Sequence, residues 1–433
     1  MTNEKGRAFG FETRMVHAGH IPDALVGARA TPIYQTTSYV FDSTHHAAQL
    51  FELKQYGNIY TRISNPTTAV FEERMASLEN ATGAVAVASG MAAQFTTFMT
   101  LLSPGDEIVA SAHLYGGTVT QFAHTFRKLS ITVHFVDPTE IENWERAITP
   151  RTRALFGETV GNPRGSILDI ERLAALATAH GIPLVVDNTF ATPWLCRPMD
   201  FGAAIVVHSA TKFIGGHGSS IGGVVLDSGR FDYGRFETLT EPSPSYHGLR
   251  FWDTFGHYAF LMKVRAETVR DTGACISPMN SFLLLQGLET LSVRMERHVE
   301  NALAVARFLA DHPAVERVYY SGLSEHPDHA LAKKYLPRGP GAVFTFDLKG
   351  PDDRAREAGR TFIESLNIFS HLANVGDARS LVIHPASTTH QQLSDDELRA
   401  CGVGAKTVRL SIGLETVEDL IWDLDQALSA ASS

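Results

Sequence analysis

Between His208 and Gly218 the chain reads HSATKFIGGHG, a lysine set among hydroxyl residues and glycines directly after the apolar run Ala203 to Val207. At the carboxyl end of a buried strand, Lys212 would be partly desolvated. Burial disfavours the ammonium, so the amine becomes available as a nucleophile towards a carbonyl group. A lone loop lysine is more often simply solvated; here its companions change the weighing. Ser89-Gly90-Met91 opens a helical pattern whose free N–H groups would attract an anion, and Ser209 and Thr211 add hydroxyl donors. For Ser89 alone, helix capping is the simpler account. Asp187 ends the strand-like run Ile182 to Val186, where a carboxylate can hold a proton on a heterocyclic nitrogen; a turn aspartate would look the same.

These residues need elements to hold them. Over 433 residues there are 37 basic and 47 acidic side chains, a net charge of −10, with 44% hydrophobic residues. Domain-size statistics put such a length at roughly three units, enough to bury a large core. The acidic balance and the lack of any Lys/Arg run speak against a nucleic-acid or anionic-membrane partner. No apolar stretch reaches the roughly 18 residues of a membrane span. Met1 to His20 lacks the apolar core of a secretory signal, and Cys196, Cys275 and Cys401 form no disulfide or Cys-x-x-Cys pattern. The expectation is a cytoplasmic protein.

From Phe71 onward helical segments alternate with short β-branched runs, the pattern of an α/β protein with a mostly parallel sheet. Met91, Phe95, Phe98, Met99 and Leu102 predict one apolar helix face, closed by Pro104-Gly105. A second helix is predicted from the cap Asp169 to Gly181. Asp227 to Gly256, rich in Pro, Ser, Tyr and Gly, reads as an ordered insertion or long loop that could cover a site. The helical Ser292 to Asp311 and the strand-like Val343 to Leu348 and Arg409 to Ile412 predict a separate α+β C-terminal domain. The expected division is residues 1–65 as an irregular arm, 66–275 as a large domain and 276–433 as a smaller one.

An anion cradle, a reactive amine and a carboxylate at strand ends are the parts that pyridoxal 5′-phosphate requires for its phosphate, aldehyde and ring nitrogen. At this point the sequence resembles the pyridoxal-phosphate enzymes of cysteine and methionine metabolism over nearly its whole length. The motifs are IYQTTSYVF (Ile33 to Phe41), NIYTRISNPT (Asn58 to Thr67), VASGMAA (Val87 to Ala93), HLYGGT (His113 to Thr118), ETVGNP (Glu158 to Pro163), VVDNTFATP (Val185 to Pro193), HSATKFIGGHG and HLANVGDARSLVIHPASTTH (His371 to His390), in that order. The resemblance implies the aspartate aminotransferase-like transferase fold, fold type I. It implies Lys212 as the imine partner, Asp187 on the pyridine nitrogen, and Ser89, Gly90, Met91, Ser209 and Thr211 on the phosphate. Tyr115 would stack on the ring and help move protons; Glu158, Asn162 and Thr189 would join the cofactor site. Asn374 and Arg409 would meet the substrate, Arg409 binding its α-carboxylate. Tyr60 and Arg62 would reach the site of a neighbouring subunit, which implies a shared-site dimer, usually doubled to a tetramer. Each has a bland counterpart: Tyr115 as an interface aromatic, Arg62 as a surface cation, Arg409 in a core ion pair.

Within the family the motifs are most similar to the O-acetylhomoserine sulfhydrylase branch. Methionine γ-lyases carry a cysteine where Tyr115-Gly116 is followed here by Gly117. Lyases and cystathionine γ-synthases tend to Ser-Leu-Gly in place of Asn374-Val375-Gly376, and lack most of the Asp227 to Gly256 insertion. The implied reaction is γ-replacement, from O-acetyl-L-homoserine and sulfide (or methanethiol) to L-homocysteine (or L-methionine) and acetate. The main rival of another class is a serine acyl-enzyme built on Ser209-x-x-Lys212. It lacks its companion motifs: Lys406-Thr407 is followed by Val408, not glycine. Gly216-x-Gly218 lacks the third glycine of a dinucleotide loop, and His326-Pro-Asp-His329 or His45-His46 reads as surface histidines before metal ligands.

Overall fold

A computed structural model describes residues 7–351, 354–385 and 404–432. Cys401 and residues 386–390 of the last motif lie outside these. Seven strands, β1 (Gly83–Val87), β2 (Glu107–Ser111), β3 (Thr132–Val136), β4 (Thr152–Glu158), β5 (Leu184–Asp187), β6 (Ile205–Ser209) and β7 (Gly223–Asp227), form one sheet in the order β1-β7-β6-β5-β4-β2-β3. Only β7 runs against the others. Runs such as LVVD and IVVHS carry no polar alternation because both sheet faces are covered. Leu184 and Val186 pack into one apolar cluster and Val185 into the cluster on the opposite face, the period-two outcome of strand geometry. The strands β1, β2, β4, β5 and β6 all deliver their last residues to the same edge, where open α/β sheets bind ligands.

A second sheet has the order β10-β11-β12-β9-β8, built from β8 (Val315–Tyr319), β9 (Val343–Leu348), β10 (Ser370–His371), β11 (Leu381–Ile383) and β12 (Thr407–Ser411). It is antiparallel except for the β10–β11 pair, and the helices Ala355–Ser365 and Val417–Ala431 pack together beside it. The α/β architecture with a mostly parallel sheet is therefore present, as is an α+β C-terminal part. Among the described residues no helix is long and apolar enough to cross a membrane.

One local expectation is extended and two need correcting. The helix Gly90–Leu101 buries Ala93, Thr97, Phe98, Thr100 and Leu101, while Met91, Phe95 and Met99 stay half-buried. The predicted helix is present and ends before Pro104-Gly105. Phe98 and Leu102 of its stripe are buried in one apolar cluster with Phe95 and Met99 packed against it, and small and hydroxyl residues are buried too because the helix is covered on more than one side. Residues 1–65 are not wholly irregular: Phe11–His17 and Thr44–Phe51 are helical, and Phe11 and Met15 enter the main core. The insertion Asp227 to Gly256 is not a loop across the site. Tyr233, Phe236, Leu239 and Phe251 are buried in the cluster against the Gly90–Leu101 helix, and their aromatic rings supply a packing layer.

Candidate active site

The strand ends and the second sheet enclose a cavity of about 250 Å³. It gathers Ser89, Gly90, Met91, Tyr115, Glu158, Asn162, Asp187, Thr189, Ser209, Thr211, Lys212, Asn374 and Arg409, drawn from segments more than 300 residues apart in sequence by number. Tyr60 and Arg62 are not among its lining. Arg62 lies 5.3 Å over the Tyr60 ring and donates to the carbonyl of Arg270 at 3.2 Å, on a different part of the chain's surface.

Ser89 is the N-cap of the Gly90–Leu101 helix and accepts from the Ala92 N–H at 3.1 Å, so capping and a ligand role share one geometry. The N–H groups of the first turn point away from the helix and have no helical partner, which suits an anion. Two glycines permit the close approach. A Cβ on Gly223 would lie 2.1 Å from the Ser89 carbonyl oxygen, and one on Gly90 would lie 2.6 Å from the Ser209 Cβ. Thr211 ties its hydroxyl to both backbone groups of Gly222 at 3.1 Å, and Thr189 accepts from the Ser209 N–H at 2.8 Å.

Lys212 projects from the turn after β6, and its Nζ donates to Asn374 Oδ1 at 2.5 Å. Burial, helped by the positive Arg409, lowers its pKa to about 8. The Ser-x-x-Lys arrangement is thus not assembled: the amine bonds to Asn374 and no bond to Ser209 forms. Arg409, at the middle of β12, has a pKa lowered to about 10, mainly by burial and partly offset by the Tyr115 phenol. No carboxylate pairs with it among the described residues, and the guanidinium can take a carboxylate ligand.

Asp187 and Glu158 sit side by side in the β4–β5 register. Burial raises both carboxyl pKa values, Glu158 further because of the Asp187 charge beside it. Asp187 accepts from the Thr189 N–H at 2.9 Å and Glu158 from the Tyr115 N–H at 2.6 Å. Neither is paired with a Lys or Arg among the described residues. Two adjoining buried carboxyls without a cation fit a ligand bearing a protonated heterocycle. With the anion-seeking helix start and the neutralisable amine, the donor set fits pyridoxal 5′-phosphate.

Tyr115 is 52% exposed at the cavity mouth, and a Cβ at Gly117 would lie 2.4 Å from its Cε1. The glycine that marks the branch therefore sets how far this ring can fold down. Sequence reasoning missed Gln94, Thr118 and Phe190 in the lining. Gln94 had a signal: it stands one helical turn after Gly90, and its Nε2 donates to Thr118 Oγ1 at 3.1 Å. Among the described residues no group of three or more His, Cys, Asp or Glu side chains is placed to hold a metal ion. His326 and His329 instead meet the carbonyls of Arg164 and Ser321.

The sequence profile of the Cys/Met metabolism PLP-dependent enzymes matches residues 12–429. The O-acetyl-L-homoserine sulfhydrylase of Leptospira meyeri is 51% identical, covering 98% of this chain and 97% of that protein. The homocysteine synthase of Schizosaccharomyces pombe is 49% identical over 97% of this chain and 98% of its own length. A crystal structure of a Campylobacter jejuni protein assigned as an O-acetylhomoserine (thiol)-lyase superposes with a TM-score of 0.94 at 39% identity, covering 97% of this chain and 100% of that one. That structure contains a pyridoxyl-lysine monophosphate residue.

Proposed function

Since the chain belongs to the Cys/Met metabolism PLP-dependent enzymes, we propose that it performs γ-replacement on O-acetyl-L-homoserine, with sulfide as nucleophile and L-homocysteine and acetate as products. Methanethiol, which would give L-methionine, is the alternative thiol. The observation that carries this reading is the convergence of Lys212, Arg409 and the Ser89 helix start on one cavity. Names of relatives at about half identity over nearly the full length support the acetyl ester and sulfide as substrates.

The cofactor is pyridoxal 5′-phosphate, which when bound supplies an electron sink for negative charge developing at the substrate carbons. Ser89, Gly90, Met91, Ser209 and Thr211 hold the phosphate, with Asp187 against the ring nitrogen and Tyr115 on the ring face. Glu158, Asn162 and Thr189 hold Asp187 and Tyr115 in place. Arg409 takes the substrate α-carboxylate. Lys212 removes the Cα proton and returns it after replacement; an amine with a pKa near 8 can do both near neutral pH. Asn374 orients the Lys212 amine by accepting its hydrogen bond. Tyr115 stands where it can assist proton transfer at the neighbouring carbon while acetate leaves Cγ and sulfide adds there.

Tyr60 and Arg62 serve the site of a neighbouring subunit in a dimer, itself paired into a tetramer. Support comes from the arm, where Ile21, Leu25 and Val40 are 86%, 94% and 97% exposed, apolar surface of the kind a second copy covers. The working division is an arm over 1–65, a cofactor-binding part over 66–275 and a closing part over 276–433. The buried free thiol Cys196 suits the reducing cytoplasm.

Steady-state assays of the purified holoenzyme with O-acetyl- and O-succinyl-L-homoserine, each with and without sulfide, test the proposal. Homocysteine and acetate are expected only with sulfide and the acetyl ester. Preference for the succinyl ester, or keto-acid release without sulfide, would point to the cystathionine γ-synthase or γ-lyase branch.

A further inference from the structure

The helix Leu291–Asp311 carries Arg294, His298 and Asn301 at i, i+4 and i+7, one stripe of one face, and all three are at most 6% exposed. Buried polar groups are costly, and an apolar stripe would pack as well. Among the described residues His298 Nε2 and Asn301 Oδ1 have no hydrogen-bond partner, while the donors of both side chains are used.

Apart from Arg294 Nε, which donates to Thr290 Oγ1 at 3.2 Å on its own helix, the donors they use go to main-chain carbonyls of a few segments. Arg294 donates to the carbonyls of Phe213 at 2.7 Å, Ile214 at 3.2 Å and Gly287 at 2.6 Å. Phe213 and Ile214 directly follow Lys212 in a turn whose next bond is Gly216 N–H to the Lys212 carbonyl at 2.7 Å. Gly216 must lack a side chain here, because a Cβ would stand 2.1 Å from the guanidinium. One helical turn on, His298 packs its ring edge on Phe213 and meets the Ile412 carbonyl at 2.7 Å through Nδ1. Burial lowers its pKa to about 4, so the ring is neutral at working pH and Nδ1 carries the hydrogen. Asn301 donates to the carbonyls of Gly413 at 3.1 Å and Glu415 at 2.9 Å. Ile412 and Gly413 follow the end of β12, the strand that bears Arg409. The Asn374 loop is fastened to both sides, by Gly376 N–H to Ser411 Oγ at 2.9 Å and Ala378 N–H to the Gly216 carbonyl at 2.9 Å.

We propose that the stripe Arg294–His298–Asn301 is a positioning device that fixes the Lys212 turn of the first sheet against the Arg409 strand of the second, and so sets where the substrate α-carbon stands relative to the amine. This rests on the roles given above to Lys212 and Arg409. The three residues touch no reacting group; they act through the two backbones, at a point where small displacements are expensive in rate.

The test uses the holoenzyme with the mild variants Arg294→Lys and Asn301→Ser, and Arg297→Ala as an exposed control on the same helix. Asn301→Ser is expected to raise the Kd of L-norleucine, read from cofactor absorbance, and the KM for O-acetylhomoserine about tenfold, with kcat within about threefold. Arg294→Lys is expected to shift the pH midpoint of the cofactor absorbance and lower kcat about tenfold with little change in KM. Arg297→Ala should match the wild type. Kinetic constants and absorbance midpoint within about twofold of wild type in the folded variants, even with a lowered Tm, would overturn the proposal. If Arg294→Lys does not fold, Asn301→Ser decides alone. Failure of the underlying reading shows separately, as an Arg409→Lys enzyme that binds L-norleucine as tightly as wild type.

Discussion

A single amine illustrates how much a site can gain from burial beside a second cation. With a pKa of about 8, Lys212 is about one-tenth neutral at pH 7, whereas an ordinary lysine is roughly 0.03% neutral, a gain of some hundreds-fold in nucleophile. Reconstitution of apoenzyme with pyridoxal 5′-phosphate should therefore accelerate with pH through a midpoint near 8; a rate still climbing steeply above pH 9.5 would remove the argument. The linkage sign agrees. A base whose folded pKa is depressed below its unfolded value destabilises the fold while charged, so this penalty on the apoprotein is full below about pH 8 and fades between there and the unfolded value near 10.5. Lys212→Ala should abolish turnover and covalent trapping of the cofactor by borohydride, and substantial activity in that variant would refute the role.

At the level of elements, the cradle depends on what the helix start and β7 omit. Gly223→Ala places a Cβ against the Ser89 carbonyl and forces the backbone apart, so cofactor should be lost on dialysis while the far-ultraviolet circular dichroism stays close to wild type. Ser89→Ala removes an N-cap worth about 1 kcal/mol and should both lower Tm and weaken cofactor retention. The strands and the Asp169-to-Gly181 helix were legible because β-branched runs, a cap position and a left-handed glycine at φ 66° are local signals. Tyr115, Glu158, Asn162 and Thr189 came from the resemblance alone, while Ser89, Gly90, Met91, Asp187, Ser209, Thr211 and Lys212 could likewise be read off strand ends and a helix start. Arg409 and Asn374 could not, since which strand of the second sheet faces the first is set by long-range packing; only the resemblance pointed to them. The apolar stripe on Gly90–Leu101 located a true contact face but hid the burial of Thr96, Thr97 and Thr100, because a helix enclosed on several sides no longer segregates by hydrophobicity. The insertion misled for the opposite reason: Pro, Ser and Gly dominate its composition, while a few aromatic rings decide its place.

For the assembled molecule, the proposed sharing of sites makes a sharp prediction. Lys212→Ala and Arg62→Ala homodimers should each be impaired, yet after mixing and subunit exchange the heterodimer regains one intact site of its two. About a quarter of all sites would then recover. Recovery would fail to appear if Arg62 served its own chain. The same assembly can be viewed through its protons. Glu158 and Asp187, neighbours at the ends of β4 and β5, hold protons more tightly than exposed carboxyls do, because burial disfavours their charge and no Lys or Arg among the described residues offsets it. A pyridine nitrogen that settles there with its proton supplies the positive neighbour this pair lacks. Loading should therefore draw the two carboxyls back towards the ordinary carboxylate range, seen in the infrared difference spectrum as carboxylate bands growing at the expense of carboxyl bands.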